Sequence, residues 1–263
     1  MSGPDRDRPA PGRGRARGRG AASGPGIAPV PVRWHPTADE ALPGLARDRI
    51  LDAAEAAIAA RGEFRIVLAG GSTPRAAYRL LGQARTDWSA WHVYFGDERC
   101  LPAGDPQRND TMAREEWLDR VPIPSTQRHP FEAERGPQQA ASRYAETLRG
   151  VGDFDLVLLG LGEDGHTASL FPGRELGVQP GSPDAMPVVD APKPPPDRVT
   201  LSAARLSRSR AVLFLVSGDG KREALQRWQR GEEIPAAAIR PPGGVDVLVE
   251  ASLLEARAVE PRP

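Results

Sequence analysis

The densest chemistry in the sequence lies in one run, Gly160-Leu161-Gly162-Glu163-Asp164-Gly165-His166-Thr167-Ala168-Ser169. An imidazole takes and returns protons near neutrality, because in water it titrates at ~6.5. His166 is therefore a candidate general acid–base. Asp164, two residues before it, could set the tautomer of the ring or stabilise the imidazolium. The same run would also suit a histidine that only caps or packs within a turn. Its glycines, and its place directly after a strand-like apolar segment, favour the chemical reading.

Three further runs invite an anion. In Gly70-Gly71-Ser72-Thr73-Pro74, adjacent glycines allow amides to approach a phosphate, and the helix that follows adds a favourable dipole. A tight strand-to-helix turn with a Ser/Thr cap would look the same. Gly96-Asp97-Glu98-Arg99 places three charges together. Arg99 suits a bidentate phosphate contact and the acids suit sugar hydroxyls, unless the run is a solvated loop with an internal ion pair. Asn109 opens the next helix, either as a ligand or as its N-cap. In Ser217-Gly218-Asp219-Gly220-Lys221, the lysine is a plausible phosphate counter-charge on a first helical turn. Only Lys193 and Lys221 are lysines among 35 basic residues, so Lys221 attracts notice, while Lys193 reads as chance retention in a proline loop.

Alternating helix and strand signals carry these runs. Apolar strands are expected at 64–68, 91–95, 154–159, 199–201, 211–216 and 245–249. Helices are expected over 38–60, 74–81, 109–119, 137–149 and 219–230. Continuous apolar strands between helices imply a mostly parallel sheet with helices on both faces, in one Rossmann-like α/β domain over 32–258. Ligands in such sheets bind beyond the carboxyl ends of the strands, where all four runs fall. Residues 172–197, rich in proline, read as loop. Residues 1–31 form an Arg/Gly/Pro-rich tail with too little to bury, expected to be disordered, and 259–263 form a short C-terminal tail.

Composition removes other classes. Basic and acidic residues number 35 each. The first twenty residues hold six arginines against two aspartates, so a basic tail offsets a mildly acidic body. That balance argues against a whole-protein nucleic-acid binder. A single cysteine, Cys100, excludes an internal disulfide and reads as a small packing residue. The four histidines show no metal-ligand spacing, and there is no GxSxG elbow, Walker loop or GxGxxG fingerprint. No apolar run approaches a membrane span, and no signal peptide is evident; a cytoplasmic setting is expected.

Taken together, Ala69–Pro74, Gly96–Arg99, Asp105–Asn109, Gly162–Gly173, Arg198–Leu201 and Gly220-Lys221 resemble the 6-phosphogluconolactonase family, built as a glucosamine-6-phosphate-deaminase-like α/β sheet. The resemblance implies metal-independent hydrolysis of 6-phospho-D-glucono-1,5-lactone to 6-phospho-D-gluconate in the oxidative pentose phosphate route, with no cofactor. It implies His166 and Asp164 as catalytic residues. It further implies Gly70, Gly71, Ser72, Thr73, Asp97, Arg99, Asn109, Gly162 and Lys221 around the sugar phosphate. The expected partner is the small-molecule lactone, with no membrane or nucleic acid, in a monomer or weak dimer. Related sugar-phosphate deaminases and isomerases share the GGSTP and DGH elements but carry a ring-opening glutamate where this sequence has Phe171. A deaminase or isomerase, and a non-catalytic sugar-phosphate-binding protein, are the alternatives.

Overall fold

A computed structural model of the chain describes residues 30–254. Most of the expected N-terminal tail, and the short C-terminal tail, lie outside the described residues.

The strands are β1 (Val32–Thr37), β2 (Phe64–Leu68), β3 (Trp91–Phe95), β4 (Asp97–Arg99), β5 (Phe154–Gly160), β6 (Ala185–Val188), β7 (Arg198–Leu201), β8 (Ser209–Val216) and β9 (Val245–Glu250). The α-helices are α1 (Leu42–Arg61), α2 (Ser72–Leu81), α3 (Asn109–Glu116), α4 (Pro137–Thr147), α5 (Ala203–Ser207) and α6 (Arg222–Gln229). Helix α1 ends where Gly62, at φ 78°, turns left-handed and its amide caps the Ile58 carbonyl at 2.8 Å.

Six strands pair in parallel in the order β1-β9-β8-β5-β2-β3. The inner strands are buried along almost their whole length, as strands covered by helices on both faces must be. Near β3 the core is aromatic, with Phe64 edge-on to Trp91 at 4.7 Å and Trp88 and Trp117 packed against it. From β2 the chain steps outward to β3, then crosses back to β5 and continues toward β8 and β9. The crossover reverses direction between β2 and β5. Connections there leave opposite sides of the sheet and open a crevice at the strand ends. The runs 69–73 and 160–166 both start at this crevice.

The structure departs from the expected elements in four places. Gly96–Arg99 is not a post-strand loop, because Asp97–Arg99 form β4. Val199–Leu201 belong to β7, which lies outside the parallel sheet. Residues 172–197 are not all loop, because Ala185–Val188 form β6 within them. These three make a second, antiparallel sheet in the order β4-β7-β6, with Arg99 opposite Arg198. Strand β1, unassigned in the sequence reading, closes the large sheet beside β9. Strands β4 and β6 escape the sequence reading because they are only three and four residues long; β4 is held by pairing with β7 across a hundred residues, and β6 by pairing with β7 and packing against α4.

Candidate active site

At the carboxyl ends of β2, β3, β5 and β8 lies a cleft of about 310 Å³. Its wall includes ten of the residues singled out above: Gly70, Gly71, Ser72, Thr73, Asp97, Arg99, Asn109, Gly162, His166 and Lys221. Asp164 is not part of the wall and reaches the cleft only through His166.

The loop after β2 is held rigidly. The Tyr78 hydroxyl, wholly buried nearly two turns into α2, donates to the Ala69 carbonyl at 2.9 Å and accepts from the Ala69 amide at 3.0 Å. Gly71, at φ 107°, precedes α2 with no side-chain cap, so the Ser72 and Thr73 hydroxyls are not used as caps. Thr73 Oγ1 instead meets Ser217 Oγ at 2.8 Å, tying α2 to the end of β8.

Next to this loop sits a buried polar cluster. Asp97 Oδ1 accepts from Asn109 Nδ2 at 3.1 Å, and Asp97 Oδ2 accepts from Ser169 Oγ at 2.6 Å. Asn109 does not cap α3. That task falls to the fully buried Glu98, whose carboxylate accepts the amides of Arg99, Asn109 and Asp110, each at 2.8 Å. Burial and the nearby Asp110 push the Glu98 carboxyl up to about 8, against the pull of those amides. With its Nδ2 held by Asp97, Asn109 lays Oδ1 over Gly70. A Cβ on Gly70 would lie 2.1 Å from that oxygen, so glycine is required here by close approach.

The histidine turn is built the same way. A Cβ on Gly162 would lie 2.0 Å from His166 Nδ1, so the ring rests directly on the glycine backbone. His166 Nδ1 and Asp164 Oδ1 are 2.5 Å apart, and the same carboxylate oxygen accepts the His166 amide at 3.2 Å. Burial opposes the Asp164 charge, but the His166 ring and amide bonds outweigh it and hold the carboxyl below the usual range. The pairing places the ring proton on Nδ1 and leaves Nε2 as the free base. Phe171 packs on the ring at 4.8 Å between centroids. Of the amides in this turn, Gly162 donates to the His166 carbonyl, Gly165 to the Gly162 carbonyl and His166 to Asp164. The backbone of 162–166 therefore has few donors left for a developing oxyanion.

Three cations, Arg99, Arg198 and Lys221, face one carboxylate, Asp97, around the cleft. Arg198 enters the sequence reading only within the Arg198–Leu201 run, with no role at the site, because the partner of its strand lies far away in sequence. Lys193 is not stranded in its loop either, since its Nζ lies 3.7 Å from Glu163 beside the histidine turn. Cys100 is half-buried, and burial pushes its thiol up to about 11, which suits a packing residue. Among the described residues, no three His, Cys, Asp or Glu side chains converge on a common point, and no helix is long and apolar enough to cross a membrane.

Comparison with known proteins matches residues 37–248 to the family described as glucosamine-6-phosphate isomerases/6-phosphogluconolactonase. A 6-phosphogluconolactonase of Mycobacterium tuberculosis is 41% identical over 206 residues, 72% of this chain and 83% of that protein. The human 6-phosphogluconolactonase is 37% identical over 199 residues, 70% of this chain and 77% of that protein. Among solved structures, the 6-phosphogluconolactonase of Thermotoga maritima superposes with a TM-score of 0.78 at 27% identity, over 84% of this chain and all of that one.

Proposed function

The chain belongs to the glucosamine-6-phosphate isomerase/6-phosphogluconolactonase family and hydrolyses the 1,5-lactone of 6-phosphogluconate in the pentose phosphate pathway; from that premise we propose how its cleft does so. His166 acts as the general base. Nε2 takes a proton from water as the water oxygen bonds to C1. The C1–ring-oxygen bond then breaks, and the same proton passes to the departing ring oxygen. Asp164 holds Nδ1–H and offsets the charge of the imidazolium between these two steps. One observation carries this reading: the Asp164–His166 pair at 2.5 Å, with the ring seated on Gly162 in the wall of the cleft.

The sugar phosphate is bound by its non-reacting end, at the amides and hydroxyls of Gly70–Thr73 together with Arg99 and Lys221. The lactone carbonyl is thereby oriented before the chemistry begins. Asp97 and Asn109, each fixed by the other, present oxygens suited to sugar hydroxyls. Water is the nucleophile and the lactone is already activated, so this scheme calls on no metal or organic cofactor. A deaminase would need a proton-transfer group at the position of Phe171, whose buried phenyl ring supplies none. The span 32–258 is read as one lactonase domain. A charged, water-borne substrate fits a cytoplasmic enzyme, a monomer or weak dimer that engages neither membrane nor nucleic acid.

Progress curves with freshly generated lactone, corrected for spontaneous hydrolysis, test the mechanism. His166→Ala should lower kcat by ~10²–10⁴-fold while leaving 6-phosphogluconate affinity largely intact. Near-normal turnover would remove His166 from the reaction.

A further inference from the structure

Arg99 on β4 and Arg198 on β7 are paired directly across an antiparallel ladder, and both line the cleft. Like charges in such a pair repel. Among the described residues, neither arginine has a carboxylate within ion-pair distance. The one carboxylate in the wall, Asp97, is committed on both oxygens to Asn109 and Ser169.

Arg198 is unusual in a second way. It is only 6% exposed, and burial lowers its pKa, the cost of holding a guanidinium charge out of water. Its Nε donates to the Pro195 carbonyl at 3.0 Å, and Nη2 donates to the carbonyls of Lys193 and Pro194 at 3.0 and 3.1 Å. Its guanidinium carbon lies 5.6 Å from the centre of the Phe171 ring. These contacts fix the plane of the group and use three of its five N–H bonds. Among the described residues the two on Nη1 have no partner, and they are not enclosed by them. A buried, immobilised cation opposite a second cation, with Asp97 and Glu98 acting on it only from beyond ion-pair distance and no closer carboxylate among the described residues, is arranged for a counter-ion that arrives with the ligand.

We propose that Arg198 is a substrate-binding residue that, with Arg99, clamps the phosphate of the sugar lactone from both sides of the β4–β7 ladder. This rests on the reading of the cleft as a sugar-phosphate lactone site. The phosphate end is favoured over the reacting carbonyl by what borders the two arginines. Arg99 also borders Gly71 and Ser72 at the start of α2, and Arg198 lines the same cleft as those anion-binding amides. Two guanidiniums suit a dianion better than one: Arg198 offers the two N–H bonds of Nη1, and Arg99, whose Nη1 also donates to the Gln107 carbonyl, offers Nη2. Anchoring Arg198 on the proline segment also joins that segment to the site.

Steady-state kinetics of Arg198→Gln and Arg198→Lys test the clamp. A charge-assisted contact to phosphate predicts a KM for the phosphorylated lactone raised ~10–100-fold in Arg198→Gln. The inhibition constants of inorganic phosphate and 6-phosphogluconate should rise by the same factor, and kcat at saturation should stay within about threefold. Arg198→Lys, which keeps the charge but loses the carbonyl contacts that fix it, should fall between and carries the comparison if the glutamine variant does not fold. A loss confined to kcat, or unchanged phosphate inhibition, would overturn the clamp and leave Arg198 as a prop for the proline segment. Failure of the lactonase reading would look different: the wild-type enzyme itself would not exceed the spontaneous rate.

Discussion

Gly70→Ala tests whether the site depends on close approach between two loops. The new Cβ would sit 2.1 Å from Asn109 Oδ1 and 2.7 Å from its Cγ, well inside any tolerated contact. Asn109 cannot simply retreat. It is 4% exposed, and its Nδ2 donates to the Asp97 carbonyl at 3.0 Å and the Asp97 carboxylate at 3.1 Å. Moving the side chain away breaks both bonds, one of them to a charged group, for a cost of about 2–4 kcal/mol. In a domain of this size that lowers Tm by roughly 5–15 °C. Asp97 loses its partner as well, so KM for the lactone should rise alongside. Urea denaturation and lactone kinetics on three variants separate the cause: Gly70→Ala, Asn109→Ala, and the two combined. If the clash is the cause, Asn109→Ala removes the obstacle and the double variant is about as stable as Asn109→Ala alone. The coupling would then equal the cost of Gly70→Ala itself, about 2–4 kcal/mol. Strict additivity would refute the reasoning, since it would mean the added methyl does its harm elsewhere.

Two other perturbations have definite signs. Asp164→Asn removes the charge that offsets the imidazolium at a partly exposed site, so kcat should fall ~10–100-fold, less than for His166→Ala, with KM nearly unchanged; an unaltered kcat would reduce Asp164 to a turn former. His129, stacked 4.4 Å from Tyr94, is pushed by burial and the neighbouring His92 down to about 4, so the fold favours the neutral ring. That stabilisation is complete above the unfolded value of ~6.5 and is lost as pH falls toward 4, reaching ~2 kcal/mol at pH 5. The check is the difference in urea midpoint between wild type and His129→Gln at pH 7.5 and pH 5. The comparison cancels Glu98, whose raised carboxyl acts in the opposite direction over this range. Equal pH slopes for the two proteins would contradict the assignment.

Much of the active cleft was legible in the sequence because its parts are local. A glycine pair before a helix, or a His two residues after an Asp in a glycine-rich turn, specifies its own backbone within a few residues. The rule that ligands gather at the carboxyl ends of parallel strands then brought those turns together without any knowledge of pairing. The failures share the opposite property. Gly96–Arg99 reads as a charged loop until Val199 and its neighbours pair with it from a hundred residues away. Asn109 reads as either a ligand or a helix cap until Glu98 is seen to take the capping role from the adjacent strand.

The sequence by itself determined the α/β architecture, the family and the residues that could move a proton or meet a phosphate, since apolar periodicity and turn chemistry are written in neighbouring positions. Only the tertiary structure decided which of those residues are tied to one another. It showed that Asp97 is held by Asn109 and Ser169, that Gly70 and Gly162 are required by contact, and that Arg198 stands opposite Arg99. The register of a short antiparallel ladder, and the burial of a charge, depend on which distant segments pack together. Neither leaves a signal in the adjacent residues.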